Sequence, residues 1–154
     1  MKLISTLAVA GLILSHASCT KKTNAGVDPR VQTLGTVEVT ARLVEVPEGA
    51  IFHRDLYDYA TVLKYEVVAV HRGDVAKGAT IYVGHYDPWK SRSEAADKRA
   101  QNIGGDLRQF RAGDLHRMAL EVPMDDHFMG GIVDKYFGKH GAPVYWAVWT
   151  NAAD

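Results

Sequence analysis

The run Tyr59–Arg72, YATVLKYEVVAVHR, decides the fold. It is rich in β-branched and aromatic residues and is long for a single strand. Both faces are largely apolar, with Leu63, Tyr65, Val67 and Ala69 on one and Val62, Val68 and Val70 on the other. A strand with two apolar faces is covered on both sides, so the run predicts a strand that curves through a barrel. Arg72-Gly73-Asp74 and Lys77-Gly78 mark a turn after it. Thr80–Tyr86 (TIYVGHY) reads as the next strand, with Gly84 permitting a tight bend.

Upstream, Thr36–Leu43 (TVEVTARL) alternates with Val37, Val39, Ala41 and Leu43 on one face, which predicts a half-buried first strand. The alternation slips at Val44-Glu45-Val46, a bulge or bend before Pro47, and residues 47–58 read as a loop. Downstream, Ser91-Arg92-Ser93-Glu94 has capping-box spacing, which predicts a helix over Glu94–Ile103 stopped by Gly104-Gly105. Leu115–Val122 is a fourth strand with Met118, Leu120 and Val122 facing inward. Pro123–Pro143 reads as irregular and glycine-rich, with a helical turn at Val133–Phe137, and Val144–Thr150 is a fifth strand. The order β-β-β-α-β-β predicts a mainly β, OB-like Greek-key barrel of five strands; a small β-sandwich is the alternative.

Three segments add a resemblance. Tyr65–Asp74, then Ile81-Tyr82-Val83, then Ala112-Gly113-Asp114 before a strand are similar to the tissue-inhibitor and netrin-module group of OB barrels, over residues 36–122. The resemblance implies a fold and no particular activity. That group's cysteines are absent, so its disulfides and its protease-inhibiting N-terminus do not carry over.

The N-terminus, MKLISTLAVAGLILSHASC, gives an address. Lys2 precedes an apolar stretch from Leu3 to Leu14, too short for a permanent membrane span and flanked like an export signal. It resembles a bacterial lipoprotein signal, which implies an acylated (palmitate-bearing) Cys19 and anchoring to the outer membrane facing the periplasm, or to the cell surface. His16 stands where a lipobox has an aliphatic residue. Cleavage after Ala17, giving a soluble periplasmic or secreted protein, is the alternative. The expected organisation is a signal peptide over 1–18, a tether over 19–34 and one barrel domain over 35–154. Removing residues 1–18 takes away Lys2 alone among the 18 basic and 18 acidic side chains, so the remaining chain is nearly neutral. That balance gives no electrostatic pull toward nucleic acid.

Candidate chemistry is sparse. Of the histidines outside the signal (His53, His71, His85, His116, His127 and His140), no pair has HxH or HxxxH spacing. A metal site could still assemble from His71, His85 and His116 on separate strands, but no metal or cofactor is expected. Asp125-Asp126-His127 is the densest polar cluster and could do acid–base work or be a solvated turn. No Gly-x-Ser-x-Gly elbow is present. Tyr86, Trp89 and Lys90 sit where an aromatic loop could meet a ligand or cap the barrel. The expectation is a non-catalytic envelope binding module that holds an envelope protein or cell-surface polysaccharide through the loops around Trp89 and the segment 123–140, using Tyr86, Trp89, Lys90, Asp125, Asp126 and His127. A small hydrolase, metal-dependent or using His127 and its neighbouring aspartates, is the alternative.

Overall fold

The computed structural model describes residues 28–52 and 57–154. The signal segment, Cys19, the first part of the tether and His53 lie outside the described residues. Six strands follow a short helix, α1 (Pro29–Thr33): β1 (Val37–Glu45), β2 (Tyr59–Arg72), β3 (Thr80–Tyr86), β4 (Leu115–Glu121), β5 (Gly131–Val133) and β6 (Tyr145–Ala153). β1 pairs antiparallel with β2 and β4, β2 with β3, and β4 with β6, while β3 runs parallel to β6. The circuit β1-β2-β3-β6-β4-β1 therefore closes, and β5 adds to β2 in parallel outside it. This is the OB-like five-stranded barrel, and its closure rules out the open sandwich. The slip after Leu43 appears as a register shift between Leu43 and Glu45.

The two apolar faces of β2 have separate uses. Leu63, Tyr65 and Val67 point into the barrel with Val39, Leu43, Val83, Met118 and Leu120. Ala60 and Val62 point outward and are covered by Tyr86, Met124, Phe128, Tyr136 and Trp146. Phe128 stacks flat on Trp146 at 4.9 Å, with an interplanar angle of 9°. Burying such a ring contributes about 2 kcal/mol, so this outer layer is a second core.

Two expectations fail, for local reasons. The helix over Glu94–Ile103 does not form: Arg92–Glu94 is one 3-10 turn, and the rest of the connection to β4 is irregular. Asp97 Oδ1 accepts the backbone N–H groups of Arg99 and Ala100, an alternative to helical bonding. Gly104 N–H donates to Val148 O, and Gly104 O accepts from Thr150 N–H, which draws the segment onto β6. An isolated helix this short is marginal in water, so these bonds prevail. The helical turn over Val133–Phe137 is likewise replaced, at its start, by β5.

Asp28–Leu34 packs on the barrel: Val31 is fully buried, Trp149 Nε1 donates to Asp28 Oδ2 at 2.6 Å, and Arg30 lies 4.9 Å over the Trp149 ring. Arg72 donates to the carbonyls of Gln32 and Leu34. Apolar burial and these bonds hold a stretch whose polar composition reads as linker.

Gly105 has φ of +132°, and a Cβ there would lie 1.9 Å from Thr150 O. We expect Gly105→Ala to destabilise the barrel by about 2–4 kcal/mol in urea denaturation. Gly78 has φ of +79° with nothing within 4 Å of its Cβ position, and Gly78→Ala should cost only about 1 kcal/mol. Equal losses would show that the approach of β6 to Gly105 is not decisive.

Candidate functional site

The turn leaving β3 carries Tyr86, Trp89 and Lys90. Tyr86 is completely buried, with its ring 5.2 Å from Phe128 and its hydroxyl donating to Asp97 Oδ2 at 2.7 Å. The reading of Tyr86 as a ligand contact is corrected by this burial: its ring packs on the outer face of the barrel. Burial, helped by the hydrogen bond to Asp97 and the charge of Asp87, pushes its pKa well above the usual tyrosine value. Trp89 is half-buried beneath Lys90, whose Nζ lies 4.6 Å over the ring. Lys90 Nζ also donates to Asp87 Oδ2 at 2.8 Å and lies 3.7 Å from Asp58 Oδ1.

Asp87 anchors this turn. It is fully buried with φ of +42°, accepts from Tyr59 N–H, and its own N–H donates to Tyr59 O. Burial raises its pKa, opposed by the hydrogen bonds from Lys90 and Tyr59. Arg92, also buried, donates to the carbonyls of Tyr86, Asp87 and Lys90. Burial lowers its pKa to about 10. The carboxylates of Asp58, Asp87 and Asp97 come within 4.8 Å of one another, but Lys90 and Arg99 already sit against them as counter-charges.

A different surface offers a cavity. The segment after β4 folds back over the outer face of β2 and encloses about 480 Å³. Its walls are Val62, Pro123, Met124, Ile132, Phe137, Pro143 and Val144, with Asp125, Asp134 and His140 supplying the polar groups. Gly84 makes room for Met124, since a Cβ there would lie 2.4 Å from Met124 Sδ. Its role is thus close approach of a side chain. His140 Nε2 lies 3.0 Å from Asp134 Oδ2, and the imidazole packs 5.5 Å from Tyr82. Tyr136 also packs on Tyr82, at 5.0 Å, and donates to Glu45 Oε1 at 2.6 Å. Phe137 is 83% exposed and Met129 97%.

The cluster Asp125-Asp126-His127 does not stay together. Met124–Asp126 is a 3-10 turn, which sends successive side chains in different directions. Asp125 lines the cavity beside β2, Asp126 is exposed, and His127 lines a separate groove with Trp146 and Val148. Ile132, Asp134, Phe137 and His140 lie in the segment 123–140 expected to meet a partner, but sequence reasoning did not single them out as its site. The available signal was large apolar residues stranded in a glycine-rich irregular segment.

Two strand histidines meet inside the barrel. Tyr65 Oη lies 3.1 Å from His85 Nε2 and 3.0 Å from His116 Nδ1. All three are fully buried. One hydroxyl proton means that Tyr65 donates to one neutral imidazole and accepts N–H from the other. One ring then turns a lone pair outward and the other an N–H. Among the described residues, those outward atoms, His85 Nδ1 and His116 Nε2, have no hydrogen-bond partner, nor has Arg92 Nε. Phe110 covers the group, 4.6 Å from His85, 5.6 Å from His116 and 5.1 Å from the Arg92 guanidinium. Burial, then the charges of Arg92 and His116, hold His85 well below the usual imidazole range. Burial takes His116 down to about 4 against the opposing pull of Asp114.

His71 is not part of this group: it bonds Thr40 Oγ1 at 2.9 Å on the opposite side of the β2 strand end. A metal-bound imidazole normally gives its second N–H to a carboxylate, carbonyl or water. Here both rings pack against Phe110, with the Arg92 guanidinium over the same ring, surroundings that supply no such acceptor and repel a cation.

Scans against family models, curated proteins and solved structures find no match for this chain. The chemistry must be argued from its own residues. Removing the Tyr65 hydroxyl leaves two more buried imidazole nitrogens without a partner. We expect Tyr65→Phe to lower stability by about 1–3 kcal/mol without changing the strand content seen by circular dichroism. A neutral effect would mean that Tyr65 is held by packing alone.

Proposed function

We propose that this chain is an exported, lipid-anchored envelope protein that acts as a non-catalytic binding module for an extracytoplasmic protein. The observation that carries this reading is the cavity beside β2. Aliphatic, methionine and proline walls with a few convergent polar groups are the usual composition of a site that accepts an apolar side chain. Phe137 stands exposed beside it, an aromatic anchor of the type enriched at interface centres. Aliphatic, methionine and proline side chains make up most of the walls, against the mainly polar and aromatic lining that a polysaccharide favours. The signal-like N-terminus supports export and Cys19 supports the lipid.

The Asp134–His140 pair favours a second reading, in which the imidazole activates water against a small substrate in the same cavity. That water would be the nucleophile, but seven of the ten residues lining the cavity are apolar, a lining that suits holding an apolar group more than chemistry on a polar one. Binding is therefore the better-supported function.

Two experiments test it. Capture of the tagged full chain from native membranes should recover a stoichiometric protein with the native chain. Phe137→Ala should lose that protein about tenfold while changing stability by less than about 0.5 kcal/mol. A glycan in its place, or full retention by Phe137→Ala, overturns the reading. Separately, cells fed a palmitate analogue should label the native protein and leave Cys19→Ser unlabelled. Equal labelling, or none in either, overturns the lipid anchor.

A further inference from the structure

The connection between β3 and β4 sends two side chains into the barrel core, Leu107 and Phe110, and Phe110 is the one seated on the histidines. Phe110 is buried, yet its neighbours Arg108, Gln109, Arg111 and Ala112 are exposed, and the backbone there is neither helix nor strand. Phe110 is thus a plug inserted from a loop, seated on His85, His116 and Arg92. Withdrawing it leaves the ladders between the five barrel strands in place and costs the loop's own bonds to β6 and β1, Leu107 N–H to Thr150 O and Gly113 N–H to Leu43 O.

We propose that this plug is acid-operated: proton uptake by the buried His85–Tyr65–His116 relay releases Phe110 and opens the base of the barrel.

The argument rests on the relay's hydrogen bonds. One shared tyrosine proton satisfies two neutral imidazoles and no more. A proton added to either ring makes a buried cation beside a second imidazole and the Arg92 guanidinium. The groups facing it from each packed element offer little relief. β2 supplies Tyr65, whose ionisation burial opposes strongly, and the paired positions on β1 and β6 are Ala41 and Ala152. The 3-10 turn supplies Arg92. Asp114, near His116, is exposed, and Asp87, near Arg92, is already bonded to Tyr59 and Lys90. Unplugging hydrates the new charge at the loss of one aromatic contact set and the loop's bonds to β6 and β1. The sign follows from the depressed histidine values: closure is complete above the open-state value of 6.5 and is lost as pH falls from there toward about 4. This inference does not depend on the ligand-binding reading.

Hydrogen–deuterium exchange of the full chain between pH 7.5 and 4.5, corrected for intrinsic rates, tests it. Exchange over 104–114 should rise by up to about tenfold per pH unit for each proton taken up, while β1 and β2 change far less. His85→Gln and His116→Gln should each flatten that rise, and His127→Gln, at an exposed ring, should leave it unchanged. Unchanged exchange at pH 4.5, a uniform rise over all strands, or the native pH dependence in both variants overturns the proposal. If the variants do not fold, imidazole proton resonances of the native chain decide. Two rings that stay neutral until 104–114 opens support the plug; two that titrate near 6.5 with the loop still protected overturn it.

Discussion

Closure of the barrel depends on a parallel contact of two residue pairs, Val83 with Tyr145 and Gly84 with Trp146. The other sides of the circuit are longer antiparallel ladders. A short parallel contact contributes few hydrogen bonds, so neighbouring structure must hold β3 and β6 together. Three features do so. Met124 fills the space that Gly84 leaves, Phe128 lies flat on Trp146, and Gly104 bridges to β6 from the connection after β3. The absence of a regular helix in that connection follows from the last of these, because its backbone bonds are committed to β6.

The cavity and the plug are consequences of this closure. OB barrels commonly use the outer face of their second and third strands for ligands. Here the segment after β4 covers that face, and the cavity beside β2 is what remains between cover and strand. At the base, a helix would present a continuous apolar stripe. An irregular chain instead presents Leu107 and one ring, Phe110, which sits over two imidazoles and a guanidinium. Polar groups that are half-satisfied in a dry interior are costly, which makes that end of the barrel sensitive to a single added proton.

Much of the barrel could be read from residue order. Alternation located β1 and β4, and the two apolar faces of Tyr59–Arg72 required cover on both sides. The candidate site was less legible. Tyr86 reads as a loop aromatic, yet it is fully buried because Phe128, far along the chain, packs on it. Asp125 and His127 are neighbours in sequence but face different cavities. Asp134 and His140 share a cavity wall because the segment folds back on β2, which no local spacing encodes.

The amino-acid sequence alone therefore determined what depends on short-range periodicity: the main strands, their inward faces and the order that makes an OB-like barrel. Tertiary structure decided what depends on partners distant in the chain. It turned Glu94–Ile103 from helix to irregular strap, docked Asp28–Leu34 onto the barrel, and joined His85 to His116 through Tyr65. The physical reason is the range of the forces. Side-chain alternation is set by the geometry of the pleat between adjacent residues. Capping, burial and shared protons are settled only when the closed barrel brings remote groups within hydrogen-bonding distance.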